Sequence, residues 1–118
     1  MQNSIKWQAL KKRINTAEKP NRDLFFDTLY ALSPGNHVVC HYIQCFAWND
    51  AALTLANDVL PGCSLQISKG RDGSAAVRMT LTDESGTMLR EVSSSGPALS
   101  LGILRCLAQI DFGVPNSG

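Results

Sequence analysis

The chain is 118 residues long, with 44% hydrophobic residues, 18% charged residues and a formal net charge of +1. That length holds one domain with a real core, and so small a net charge supplies no long-range field to recruit nucleic acid or an anionic membrane. No apolar run approaches the roughly 20 residues of a transmembrane helix, and the start Met1-Gln2-Asn3-Ser4 lacks the basic and apolar regions of a signal peptide, so a cytoplasmic location is expected, with Cys40, Cys45, Cys63 and Cys106 as reduced thiols.

The first predicted element is an amphipathic helix over 1–19. Ser4 is placed to cap it, Trp7, Leu10 and Ile14 fall on one face, and Lys6, Lys11, Lys12 and Arg13 line the other. Such a basic run reads as the solvated face of a short helix, so no specific nucleic-acid binding is expected. Pro20 marks the start of a second helix, with Asp23 in its first turn near the positive end of the dipole. Leu24, Phe25, Thr28, Leu29 and Leu32 form its buried face, and Ser33-Pro34-Gly35-Asn36 ends it. His37 to Phe46 is rich in branched and aromatic residues and reads as extended. Asn49 or Asp50 caps a short third helix that turns Ala52, Leu55, Ala56 and Val59 inward and stops at Pro61-Gly62.

Alternation then takes over. Cys63, Leu65 and Ile67 alternate with Ser64, Gln66 and Ser68, and Val77, Met79 and Leu81 with Arg78, Thr80 and Thr82. The turn Lys69-Gly70-Arg71-Asp72-Gly73-Ser74 separates these strands, and Asp83-Glu84-Ser85-Gly86 leads into a third strand from Thr87 to Ser94. Strands joined by tight turns form an antiparallel meander, with Leu65, Ile67, Val77, Met79 and Leu81 on its covered face. The last helix places Pro97 in its first turn and repeats Leu99, Ile103, Cys106, Leu107 and Ile110 at helical spacing, widened by Leu101 and Leu104. In it, only Ser100, Arg105 and Gln109 look made for water. The expected fold class is therefore α+β, a three-stranded antiparallel meander covered by N-terminal and C-terminal helices, as one domain over 20–112 with a flexible tail at 113–118.

Three stretches carry a family resemblance. Pro20-Asn21-Arg22-Asp23-Leu24 looks like the Pro-Asp-Arg-Glu-Leu segment of small phage proteins with the "phage ABA sandwich" domain. Tyr42, Asn49-Asp50-Ala51-Ala52-Leu53-Thr54-Leu55 and Pro61-Gly62 are similar to that family's Tyr…Asp-Ala-Ala-Leu…Pro-x-Gly stretch. Gly96-Pro97-Ala98-Leu99-Ser100-Leu101 is similar to its Thr-Pro-Ala-Leu-Ala-Leu helix start, with Gly96 in place of a capping threonine, while Cys63-Ser64-Leu65-Gln66 replaces its tryptophan-rich strand. The resemblance covers most of residues 20–111. It implies a phage or prophage origin and an α/β/α-type sandwich, and it implies no activity.

Candidate sites are few. His37, Cys40, His41 and Cys45 are zinc-type ligands within one short stretch. On a strand, however, Cys40 faces away from the other three, so the segment cannot wrap a tetrahedral ion without a sharp bend; as a helix all four would crowd one side, but the composition opposes a helix, and no metal is expected. Ser93-Ser94-Ser95-Gly96 runs into a helix start, where free amides and hydroxyls attract an anion; Arg71 and Arg90, with Lys69, are the cations available to help. No Walker lysine follows and no Gly-x-Ser-x-Gly elbow occurs. His37 and His41, the histidine bases available, have no nucleophile tied to them by spacing. No enzyme and no cofactor are expected. The expected function is capture of an anionic small molecule, for example a nucleotide-type signal of host defence, at Ser93, Ser94, Ser95, Gly96, Arg71 and Arg90, with a homodimer or higher oligomer closing a shallow site. The alternative is an adaptor or inhibitor of a host protein, acting through the basic N-terminal helix or exposed aromatics such as Trp48.

Overall fold

The last helix is apolar almost all the way round, and such a helix is stable only when both of its sides are covered. The computed structural model describes residues 2–110 and bears this out; the expected flexible tail at 113–118 lies outside the described residues. In chain order the elements are α1 (Gln2–Thr16), α2 (Arg22–Leu32), α3 (His37–Gln44), α4 (Trp48–Val59), β1 (Ser64–Lys69), β2 (Ala75–Thr82), β3 (Met88–Gly96) and α5 (Leu99–Ala108). The strands form one antiparallel sheet in the order β1-β2-β3. Helix α5 lies against β2 and β3 on one side and against α1 and α4 on the other. The fold is α+β, with the helical layers on the face of the sheet that carries Val77, Met79 and Val92.

Two glycines set the approach of α5 to the sheet. A Cβ at Gly102 would meet Val77 Cγ2 at 3.0 Å, and one at Gly96 would meet the Gly102 amide nitrogen at 3.1 Å. Ser100 is fully buried and its hydroxyl has no partner among the described residues, which corrects its expected exposure. Arg105 is half-buried as well. It donates to the carbonyls of Ile14 (3.2 Å) and Ala17 (2.8 Å) at the end of α1 and to Ser95 (2.9 Å) on the edge of the sheet. A guanidinium there answers the orphan carbonyls and the negative end of the α1 dipole.

Helix α1 buries Trp7, Leu10 and Ile14 in the same core as the other helices. It begins at Gln2, before the expected cap at Ser4. Asn21 caps α2, accepting from the Leu24 amide at 2.8 Å, and Arg13 pairs with Asp27 at 2.7 Å between α1 and α2. The Ser33 hydroxyl donates to Asp58, tying α2 to α4. Helix α4 begins at Trp48 behind Ala47, which offers no side-chain cap, so neither Asn49 nor Asp50 fills the expected capping role.

The largest correction is His37 to Phe46, which is helical where an extended segment was expected. Asn36 caps this helix, accepting from the Val39 amide at 3.0 Å. Val39 and Ile43, one turn apart, are its buried pair. Tertiary burial of that stripe outweighs the β-propensity of the branched residues. Two strand expectations also change. Ile67 is 40% exposed because β1 is an edge strand, while α5 lies over β2 and β3. Strand β3 continues through Gly96, so Pro97 precedes the N-cap Ala98 and lies outside the first turn of α5. Both hairpins close on an aspartate. Asp83 Oδ1 accepts from the Ser85 hydroxyl (2.6 Å) and the Ser85 and Thr87 amides (both 2.9 Å), and bonds from Ser85 and Thr87 hold its carboxyl below the usual range.

Candidate functional site

Side chains alternate across a strand, so the residues between the buried ones point away from the helices. The antiparallel register sets Gln66, Arg78 and Ser93 side by side, with Ser68, Ala76 and Ser95 as the next row. All six are exposed. With Val77 and Ser94 they line a depression of about 430 Å³ on the uncovered face of the sheet. Ala76 explains the concavity, because a methyl group between two serines leaves the middle of its row low. At about 4.8 Å between strands, each row spans about 10 Å, the scale of a phosphate with its sugar.

Arg78 is the cation of this groove. Its Nη1 donates to Gln66 Oε1 at 3.4 Å, and its Nε lies 3.7 Å from Glu91 Oε1. Both contacts are long and both side chains of the ion pair are about half exposed; such a pair is worth about 0–1 kcal/mol. The guanidinium is thus oriented across the sheet face yet weakly held, and its Nη2 donates to no described residue.

The expected site is divided between the two faces of the sheet. Ser93 and Ser95 stand on the open face, while Ser94 pairs with Val77 on the helix-facing side and is half-buried. Gly96 is buried against the first turn of α5. The serines therefore belong to a strand and do not surround a helix N-terminus, because β3 runs on through Gly96. The carbonyls of Ser93 and Ser95 accept from Gln109 Nε2 (2.7 Å) and Arg105 Nη1 (2.9 Å), so side chains of α5 and its cap close part of the β3 edge. Arg90 lies on the opposite face of β3 from Ser93, bonded to the Gln109 carbonyl at 3.0 Å. Arg71 sits in the β1–β2 turn, beyond the Ser68 end of the groove, and does not line it. The sequence alone marks Arg78 only as an outward position of β2. Its pairing with Ser93 was the missed signal, since residues that flank a meander's second turn symmetrically come into register.

Trp48 is half-buried, its ring 4.9 Å from that of Phe25. Its neighbour Phe46, with ring centroids 5.7 Å apart, is exposed at 65%, and Tyr30 at 61%. On helix α3, His37, His41 and Cys45 are exposed, while Cys40 packs toward the core. His41 Nε2 and Cys45 Sγ are 3.7 Å apart. Among the described residues no group of three or more His, Cys, Asp or Glu is arranged to hold a metal ion, and no helix is long and apolar enough to cross a membrane. No family model, curated protein or solved structure matches the chain.

Proposed function

We propose that the protein is a binding module for a compact anionic molecule of the nucleotide class, held without chemical conversion on the open face of its sheet. The observation that carries this reading is the convergence of Arg78, Ser93, Ser95, Gln66 and Ser68 on one depression. These groups are hydrogen-bond donors around a single positive charge, and neither histidine nor cysteine lines the groove, so the site suits recognition better than acid–base or nucleophilic chemistry. A phosphate meeting the free side of Arg78 makes charge-assisted hydrogen bonds, worth about 1.5–3 kcal/mol each, which exceeds the contact with Glu91. One cation on an open surface supports modest affinity, on the order of 0.1 mM, or about −5.5 kcal/mol. Sequestration of a nucleotide-type signal in a host cell fits such a site and the resemblance of residues 20–111 to a phage domain.

Calorimetric titration of nucleoside mono- and diphosphates into wild type, Arg78→Ala and Glu91→Gln tests the reading. Arg78→Ala is expected to abolish the heat. Glu91→Gln, which frees the guanidinium, is expected to tighten binding about fivefold, the equivalent of about 1 kcal/mol. Unchanged binding in Arg78→Ala, or no heat with any nucleotide, overturns it.

A further inference from the structure

The helical conformation of residues 37–44 brings together two soft ligands that an extended chain would leave apart. His41 and Cys45 lie one turn apart on α3, both exposed, with Nε2 3.7 Å from Sγ. A tetrahedral zinc ion with Zn–N near 2.0–2.1 Å and Zn–S near 2.3 Å holds two such ligand atoms about 3.6 Å apart. The pair therefore has the bite of a chelate with no movement of the backbone. It supplies two ligands of the four such an ion takes, and no described residues complete a larger cluster. A second copy of the chain, related by a two-fold axis, supplies the same two atoms and completes a His₂Cys₂ set, one of the closed structural zinc sites.

We propose that α3 carries half of a zinc site, and that a zinc ion bridges two copies of this chain through His41 and Cys45 of each. The surroundings of the pair favour a second copy over a pair of waters. Val38 precedes His41 by one turn and Phe46 follows Cys45; both are exposed large apolar side chains, at 54% and 65%. Phe46 also holds a left-handed backbone, φ 60°. Its amide bonds to the Ile43 carbonyl at 3.1 Å and the Ala47 amide to the Tyr42 carbonyl at 2.8 Å, the helix-ending motif in which glycine normally takes this position. A phenylalanine there costs stability in the single chain, and its ring, although it meets the Trp48 ring edge-on at 5.7 Å, stays 65% exposed beside the ligands. Contact between two copies covers that ring and Val38. Cys45 binds as the thiolate and releases its proton to solvent. The inference is independent of the sheet groove, which lies on other elements.

Sedimentation equilibrium of the reduced chain with Zn(II), and absorption spectroscopy with Co(II) as the probe ion, test it. The expected result is a doubling of mass with one ion per two chains, thiolate-to-cobalt and tetrahedral d–d bands, and reversal by a chelator. His41→Ala and Cys45→Ser, both surface changes, are expected to lose the bands and the dimer while keeping the helical circular dichroism. Phe46→Gly is expected to raise the melting temperature of the metal-free chain while weakening the zinc dimer. A chain that stays monomeric with zinc, binds one ion per chain, or dimerises equally well in Cys45→Ser overturns the proposal.

Discussion

Cys106 shows how burial alone changes a residue's chemistry. It is fully buried in α5 and its thiol donates to the Val77 carbonyl at 3.4 Å. Desolvation disfavours the thiolate and pushes the pKa up to about 11. In the unfolded chain a thiol titrates near 8.5. A raised folded pKa means that the stabilisation is fully present below the unfolded value and is lost as pH climbs toward about 11. Denaturant midpoints measured from pH 7 to 10.5 should therefore fall more steeply for wild type than for Cys106→Ala; parallel curves would show that the thiol is not desolvated. Ser100, one and a half turns earlier, is the polar exception in the same helix, since its buried hydroxyl lacks a partner among the described residues. Sequence spacing marks the apolar stripe of α5 but gives no sign that Ser100 is buried, because α5 is covered on both sides: Gly102 faces the sheet, and Ser100, two residues and about 200° away, lies on the opposite side, where α1 and α4 pack.

At the scale of elements, Arg105 is the joint. One guanidinium links the end of α1, the edge of β3 and helix α5 through three carbonyls. Replacing it by alanine leaves those acceptors without their donor, and with bonds to a charged group worth about 1.5–3 kcal/mol each, a loss of about 2–4 kcal/mol is expected. Chemical denaturation of Arg105→Ala measures it; a change below about 0.5 kcal/mol would contradict the assignment. The elements differ in how plainly the sequence announces them. The strands and the buried face of α2 are legible, because alternation in Val77-Arg78-Met79-Thr80 and the spacing of Leu24, Phe25, Thr28 and Leu29 are local signals that agree with the fold; the start of α2 is not, since Asn21 and not Pro20 marks it by capping the helix. Helix α3 was not, since Val38, Val39, Tyr42 and Ile43 favour strands locally and only packing of Val39 and Ile43 decides otherwise. The readable signals there were Asn36 ahead of the segment and the four-residue spacing of its buried pair. The boundary between β3 and α5 was misplaced for a related reason. Ser93-Ser94-Ser95 resembles a capping run, and nothing local says that pairing with Ala76, Val77 and Arg78 continues to Gly96. That boundary moved the candidate site from a helix start to the face of a sheet.

For the whole molecule, the arrangement of layers decides what is left for function. Among the described residues every helix lies to one side of the sheet, so α5 is covered twice and none of them covers the opposite face. A face of serine, threonine and glutamine with Arg78 and its partner Glu91 is too polar to be a core awaiting a partner, yet too well registered across the strands to be featureless. The proposed function places an anion on that face. Amide and side-chain NMR shifts of the labelled protein during titration with a nucleoside diphosphate test this most directly. Perturbations centred on Gln66, Ser68, Arg78, Ser93 and Ser95, including the Arg78 Nε resonance, are predicted. Shifts centred instead on Leu99, Ser100 and Leu101 at the start of α5, or none at millimolar ligand, would contradict it.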